Sequence, residues 1–244
     1  MKYLLVVIFL FSTTFLFAQP IFLEKVSIEF EKKVAVWPLM KEIEPEWFES
    51  GKDRMPKEIT SYFNFSADGS HSLYKRVKEP EIPRGMWFQP FADDNTVYND
   101  YTTGTTVSQK PIYEENYLVT DSFLNIKWKI TPDTRVIAGF ECRKAIGILF
   151  DTVAVFAFYT DEIMVSGGPE GIQGLPGMIL GVGIPRLHTT WFATKVQRTD
   201  ANAKPLTPAS KGKKHDRESM LKSLNVALGR WEGYGKKLIL ACVI

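Results

Sequence analysis

The feature that most constrains this chain is a period of two, repeated along most of its length. In VSIEFEKKVAVW, Val26, Ile28 and Phe30 alternate with Ser27, Glu29 and Glu31, and the pattern resumes at Val34 and Val36. Alternation of this kind places one side of an extended segment against a core and the other in water. YFNFSADGSHSLYKRV repeats it around Asp68-Gly69, a dipeptide suited to a hairpin tip because it tolerates positive φ. TVYNDYTTGTTVSQ turns at Thr103-Gly104. ENYLVTDS, NIKWKIT, TRVIAGFECRKAIGILFDTVAVFAFYT and TTWFATKVQ follow as further strands. Strand after strand with short connections predicts a mainly β fold, an antiparallel curved sheet or open barrel. Its concave face offers a place for a hydrophobic or peptide-like ligand, lined from the chain's 13% aromatic residues.

Helical periodicity is sparse. WPLMKEIEPEWFESG holds a turn or two, limited by Pro38 and Pro45. One C-terminal helix is expected in DRESMLKSLNVALGRW, where Met220, Leu224, Ala227, Leu228 and Trp231 share a face. Asp216 caps its start, and Ser219 is not expected to complete a capping box. KKLILACVI then reads as a final strand, too apolar for an exposed edge. Between them the basic stretch near 200–215, with Lys211, Lys213, Lys214 and Arg217, reads as a mobile solvated loop.

The opening MKYLLVVIFLFSTTFLFAQP has the layout of a secretory signal peptide, residues 1–18, with cleavage expected between Ala18 and Gln19. Ser-Thr-Thr interrupts the apolar run, which is short of a membrane span. Residues 19–244 are expected as a single β-rich domain, periplasmic or secreted, with no membrane span. A formal net charge of +2 gives no reason to expect nucleic acid as a partner. Two cysteines, Cys142 and Cys242, permit one disulfide in an oxidising compartment; it would contribute about 4–5 kcal/mol in the chain-entropy model. The alternative is two buried thiols.

The residues of catalysis are missing from any recognisable spacing. His71, His188 and His215 form no paired metal motif, and Ser166 lacks the upstream glycine of a nucleophile elbow. Neighbouring acids such as Asp93-Asp94 alternate sides in a strand. No enzyme and no cofactor is expected. The one metal alternative is a soft copper site from His188 with Met164, Met178 or the cysteines.

One stretch breaks the alternation. In GGPEGIQGLPGMILGVGIP, residues 167–185, ten of nineteen residues are Gly or Pro, and it holds seven of the chain's 17 glycines. It lacks the Gly-Lys-Ser/Thr of a phosphate loop, and Arg186 stands where a dinucleotide fingerprint needs its third glycine. Three glycine triplets are too few for collagen. Turns remain: Gly168-Pro169 makes a bend and Pro176-Gly177 fits the centre of a type II turn. Met178 to Val182 follows as a short strand, with a kink at Gly183 and Pro185.

GLPGMIL, Gly174 to Leu180, resembles the signature of the GLPGLI family of exported bacterial proteins, with Met178 in place of the usual leucine. YTDEIMVSGGPEGIQGLPGMIL and IKWKITPDTRVIAGFECRKA are similar to two blocks of that family, in order and at compatible spacing. The signature residues are Gly168, Pro169, Gly174, Leu175, Pro176, Gly177, Met178, Ile179 and Leu180, and Cys142 falls on the family's cysteine. The resemblance implies export by a Gram-negative bacterium and no agreed activity. Members are often encoded near TonB-dependent receptors. The expected function is a binding or accessory protein, with an outer-membrane receptor as expected partner and metal handling as the alternative.

Overall fold

The computed structural model describes residues 25–82, 88–199 and 204–244. Residues 1–18, expected from the sequence as a signal peptide, lie outside the described residues, as do 200–203 of the basic stretch.

Twelve strands form one open curved sheet. The first antiparallel meander holds β1 (Val26–Ala35), β2 (Glu58–Ala67), β3 (His71–Lys78), β4 (Thr96–Asp100), β5 (Thr105–Ile112) and β6 (Glu115–Ser122). The second holds β7 (Lys127–Ile137), β8 (Phe140–Leu149), β9 (Val153–Thr160), β10 (Met178–Ile184) and β11 (Thr189–Arg198). The two join where β1 pairs antiparallel with β11, with Phe30 opposite Ala193 and Lys32 opposite Trp191. The strand order is β12-β6-β5-β4-β3-β2-β1-β11-β10-β9-β8-β7. β12 (Lys213–His215) lies in the basic stretch and adds parallel to β6, so those three residues are a strand rather than loop.

Among the described residues four α-helices accompany the sheet: α1 (Val36–Ile43), α2 (Pro45–Gly51), α3 (Arg217–Leu228) and α4 (Glu232–Val243). The expected C-terminal helix is α3, and its cap corrects the sequence reading. Asp216 accepts from the Ser219 amide at 2.7 Å while Ser219 Oγ accepts from the Asp216 amide at 3.1 Å, a complete capping box. A serine hydroxyl performs the return bond that glutamate or glutamine usually makes.

The final strand expected from KKLILACVI is instead α4. Leu238, Ile239, Ala241, Cys242, Val243 and Ile244 are all buried. A short, almost wholly apolar run carries no amphipathic period, so it reads equally well as strand or helix. The end of α4 lies in the hollow of the sheet, against Lys32 and Trp191 on one limb and Lys110 and Val119 on the other. The aromatic-lined hollow expected to receive a ligand is therefore filled by the chain itself.

Cys142 and Cys242 are both buried and both free in this structure, the second of the two arrangements that the sequence leaves open. Their surroundings differ. Cys142 on β8 sits near Glu162 and Glu141, and burial pushes its thiol up to about 12. Cys242 on α4 sits near Lys110 and Lys32, and burial pushes it up to about 11. Among the described residues no helix is long and apolar enough to cross a membrane.

Candidate functional site

The Gly/Pro stretch is a loop folded into the protein rather than over its edge. Its two ends are clipped together by a bridge between Gly167 and Met178, with the Ile179 amide donating to the Gly167 carbonyl at 2.8 Å. The tight turn at Pro176 is a three-residue one, closed by the Gly177 amide on the Leu175 carbonyl at 2.9 Å, and not the expected type II turn. Gly177 is required there because a Cβ would run into the Thr160 carbonyl. The expected kink at Gly183 is also absent: β10 runs on through Ile184, and the Phe156 ring occupies the space a side chain at 183 would need. Leu175, Met178, Ile179 and Leu180 are buried, as is Pro169. Trp128 on β7 fastens the loop from outside, donating to the Gln173 carbonyl at 2.9 Å.

What this loop delivers is Glu170. It sits in the left-handed region at φ 54, and its carboxylate is 3% exposed. Asn95 donates to it at 2.9 Å, and Lys32 Nζ stands 3.7 Å from its other oxygen. Lys32 also donates to the carbonyls of Phe91 and Ala92, at 2.9 and 2.7 Å, and lies 3.8 Å from Asp93. Its ammonium rests over the Trp191 and Phe63 rings. Burial lifts the Asp93 carboxyl above its usual range despite Lys32. Burial also lifts the Tyr74 phenol, and the charges of Glu170 and Asp93 add to it.

A second lysine, Lys110 on β5, is buried with no hydrogen-bond partner for its Nζ among the described residues. Burial depresses its pKa, against the opposing pull of Glu170. Lys110 and Glu170 line a cavity of about 20 Å³, and Lys32 and Glu170 one of about 10 Å³. Spaces of this size suit single water molecules. The interior is a polar chamber closed by α4, too small for an organic ligand.

A larger space lies outside it. A cleft of about 760 Å³ runs between α3, α4 and the β8–β9 turn. Leu221, Val153, Ile239, Leu240 and Val243 give it an apolar floor. Arg217 and Val243 line both this cleft and the inner cavity, and so form the partition between them. Arg217 is held in place by Asp121 at 3.4 Å and the Ser122 carbonyl at 3.1 Å. On the rim, Lys237 pairs with Glu42 at 2.7 Å and donates to the Arg186 carbonyl. The side chains of Arg186 and Lys236 have no ion pair among the described residues. Phe150 projects at the mouth from a turn in which Phe150 and Asp151 both have positive φ, 47 and 59. A bulky residue there is strained, and such strain gathers at ligand-handling positions.

The metal alternative does not assemble. His188 lies after β10, where its Nε2 contacts Glu42 at 2.7 Å, while Met178 begins β10, about 20 Å away along the strand. Met178 is fully buried and Met164 is exposed. Among the described residues no three His, Cys, Asp or Glu side chains gather as a metal site.

None of Glu170, Lys32, Lys110, Arg186, Lys236 or Phe150 was singled out from the sequence as a site residue. The two lysines left a signal, because each falls on the inward phase of its strand's alternation. The cleft left none, since its walls come from six separate segments.

No curated protein matches the chain. Among solved structures, PNGF-II in its P21 crystal form is similar at 14% identity and a TM-score of 0.52, over 82% of this chain and 32% of that one. Its C2 crystal form is similar at 16% identity and a TM-score of 0.50, over 80% of this chain and 31% of that one. The chain thus spans about a third of PNGF-II, and the likeness is one of fold. In sequence, residues 149–181, which hold the end of β8, all of β9 and the loop that carries Glu170, match a family described as a protein of unknown function, Porph_ging.

Proposed function

We propose that this chain is an exported, periplasmic binding protein of the GLPGLI kind, whose ligand is an amphipathic anion held in the cleft beside α4. One observation carries the reading: an apolar floor in a space of about 760 Å³, where Glu42, Asp121 and Glu218 are paired with Lys237, Arg217 and Lys222 while the cations Arg186 and Lys236 have no described ion-pair partner. Ligand pockets fall in this size range and combine apolar walls with a few polar anchors. An acyl or similarly apolar body fits the floor, and a carboxylate or phosphate head fits the cations. Enclosure of Lys110 and Glu170 behind Arg217 and Val243 favours binding over catalysis. Work with a TonB-dependent outer-membrane receptor is part of the same reading, and affinity capture from outer-membrane extract in gentle detergent tests it.

The cleft itself is tested with dansylaminoundecanoic acid, a fluorescent acyl carboxylate. Saturable enhancement is expected, weakened about tenfold by Arg186→Ala and by Lys236→Ala, the worth of one charge-assisted hydrogen bond. Equal affinity for the uncharged methyl ester, or unchanged affinity in both variants, would sink the reading.

A further inference from the structure

The opposite flank of α4 carries a second open surface of different chemistry. A cleft of about 680 Å³ is walled by Tyr113, Trp231 and Tyr234, with Glu44 and Arg230 at its rim. Gly233, in the first turn of α4, lines both this cleft and the acyl-sized one, so the two are back to back. Tyr113 is 61% exposed and Trp231 41% exposed, unusual for rings of this size in neighbouring positions. They meet edge to face at 5.8 Å, and Trp231 lies 6.0 Å from Tyr234.

Two further features show that the surface is built. Tyr113 is the first residue of the two-residue loop joining β5 to β6, at φ 53. Glycine, asparagine or aspartate is the comfortable choice there, and a tyrosine is strained. The chain keeps the ring in spite of that. The array is also anchored, because Tyr234 packs edge to face against buried Phe91, ring centroids 5.2 Å apart.

The rim decides the ligand's class. Glu44 offers a carboxylate and Arg230 a guanidinium, and neither has an ion pair among the described residues. A ligand of either charge would meet one favourable and one repulsive group. A plain acyl chain would gain more from the deeper apolar cleft. A neutral ring with hydroxyls around its edge and C–H faces above and below satisfies every part: its faces lie on the aromatic rings, and its hydroxyls donate to Glu44 and accept from Arg230. We propose that Tyr113, Trp231 and Tyr234 form a saccharide-binding platform for a pyranose with equatorial hydroxyls, with Glu44 and Arg230 holding its edge. This site stands independently of the acyl cleft.

Cellotetraose and chitotetraose are the probes, titrated into the full chain and followed by saturation-transfer NMR and tryptophan fluorescence. Saturable binding to at least one is expected at millimolar concentration or below, weakened about tenfold or more by Trp231→Ala. Phe150→Gly, on the other cleft, should leave it unchanged. Tyr113→Gly separates function from packing. It should weaken binding while raising the melting temperature, because glycine relieves the backbone. Failure of both sugars to bind at millimolar concentration overturns the proposal. So does binding that survives Trp231→Ala, or a Tyr113→Gly variant that melts lower than the parent.

Discussion

Lys110 and Lys32 stand on the same concave face, and opposite responses to substitution are expected of them. Lys32 holds Asp93 and Glu170 together and donates to two carbonyls. Lys32→Met would leave buried Glu170 without its ion-pair partner and Asp93 with Arg76 alone, at a cost of about 3–5 kcal/mol in denaturant unfolding. Lys110 has no hydrogen-bond partner among the described residues, so Lys110→Met removes an unsatisfied buried amine and should stabilise the protein by about 1–3 kcal/mol. The pH dependence identifies the cause. Burial holds the Lys110 pKa below its ordinary 10.5, so folding favours the neutral amine. That contribution is present above 10.5 and is lost as pH falls through the depressed value. The advantage of the methionine variant should therefore be largest at neutral pH and shrink toward pH 10.5, measured as paired melting curves. Both lysines were half legible in the sequence. Val26, Ile28, Phe30, Lys32 and Val34 share one phase, as do Ser108, Lys110 and Ile112, so each lysine occupies a core position. Alternation says that such a side chain points inward. It cannot say that Glu170, from a loop far along the chain, will meet it.

At the scale of elements, α4 is held by what surrounds it rather than by its own sequence. It has no side-chain cap at its start, and its first turns contain Gly233 and Gly235. The two glycines should respond differently to alanine. A Cβ at Gly233 meets Ile43 at 3.7 Å, ordinary contact, so Gly233→Ala should stabilise by about 0.4–1 kcal/mol. A Cβ at Gly235 would strike the Leu228 carbonyl, which is backbone and cannot swing away, so Gly235→Ala should destabilise by about 1–3 kcal/mol. Thermal melts of the two variants check the pair, and equal effects would contradict the placement of α4. The same contrast explains what the sequence disclosed. α3, with one buried face and a capping box, announces itself through period and cap. The second half of α4, apolar from Leu238 to Val243, has no polar residue to set a period. Hairpins with Asp68-Gly69 and Thr103-Gly104 at their tips were readable because their turn chemistry is local. The tyrosine at the β5–β6 turn was not, because a strained residue contradicts the local rule that would have marked it.

The two meanders are joined by one long-range pairing. Each meander is assembled from neighbouring strands, but β1 and β11, the first strand of one meander and the last of the other, meet in the middle of the sheet. No local pattern specifies that join, which is why the mainly β class was legible while the layout of two meanders was not. It also makes the central ladder the last part expected to open, with looser elements opening below the global limit. The two thiols report on this order. Cys142 is covered within the β7–β8 ladder, whose register runs from Lys127 opposite Ile148 to Ile137 opposite Phe140. Cys242 is covered because α4 rests in the hollow. Freeing Cys242 requires only that an uncapped helix with two early glycines lift away, whereas freeing Cys142 requires a ladder to be stripped. Pulsed alkylation with iodoacetamide, read by peptide mass spectrometry, should label neither thiol at once in the native protein. On extended exposure Cys242 should react before Cys142, even though the two native pKa values are both far above neutral. Labelling of Cys142 first would mean that the outer hairpin, and not α4, is the loosest cover on the molecule. Labelling of both at one common rate would mean that helix and sheet unfold as a single unit.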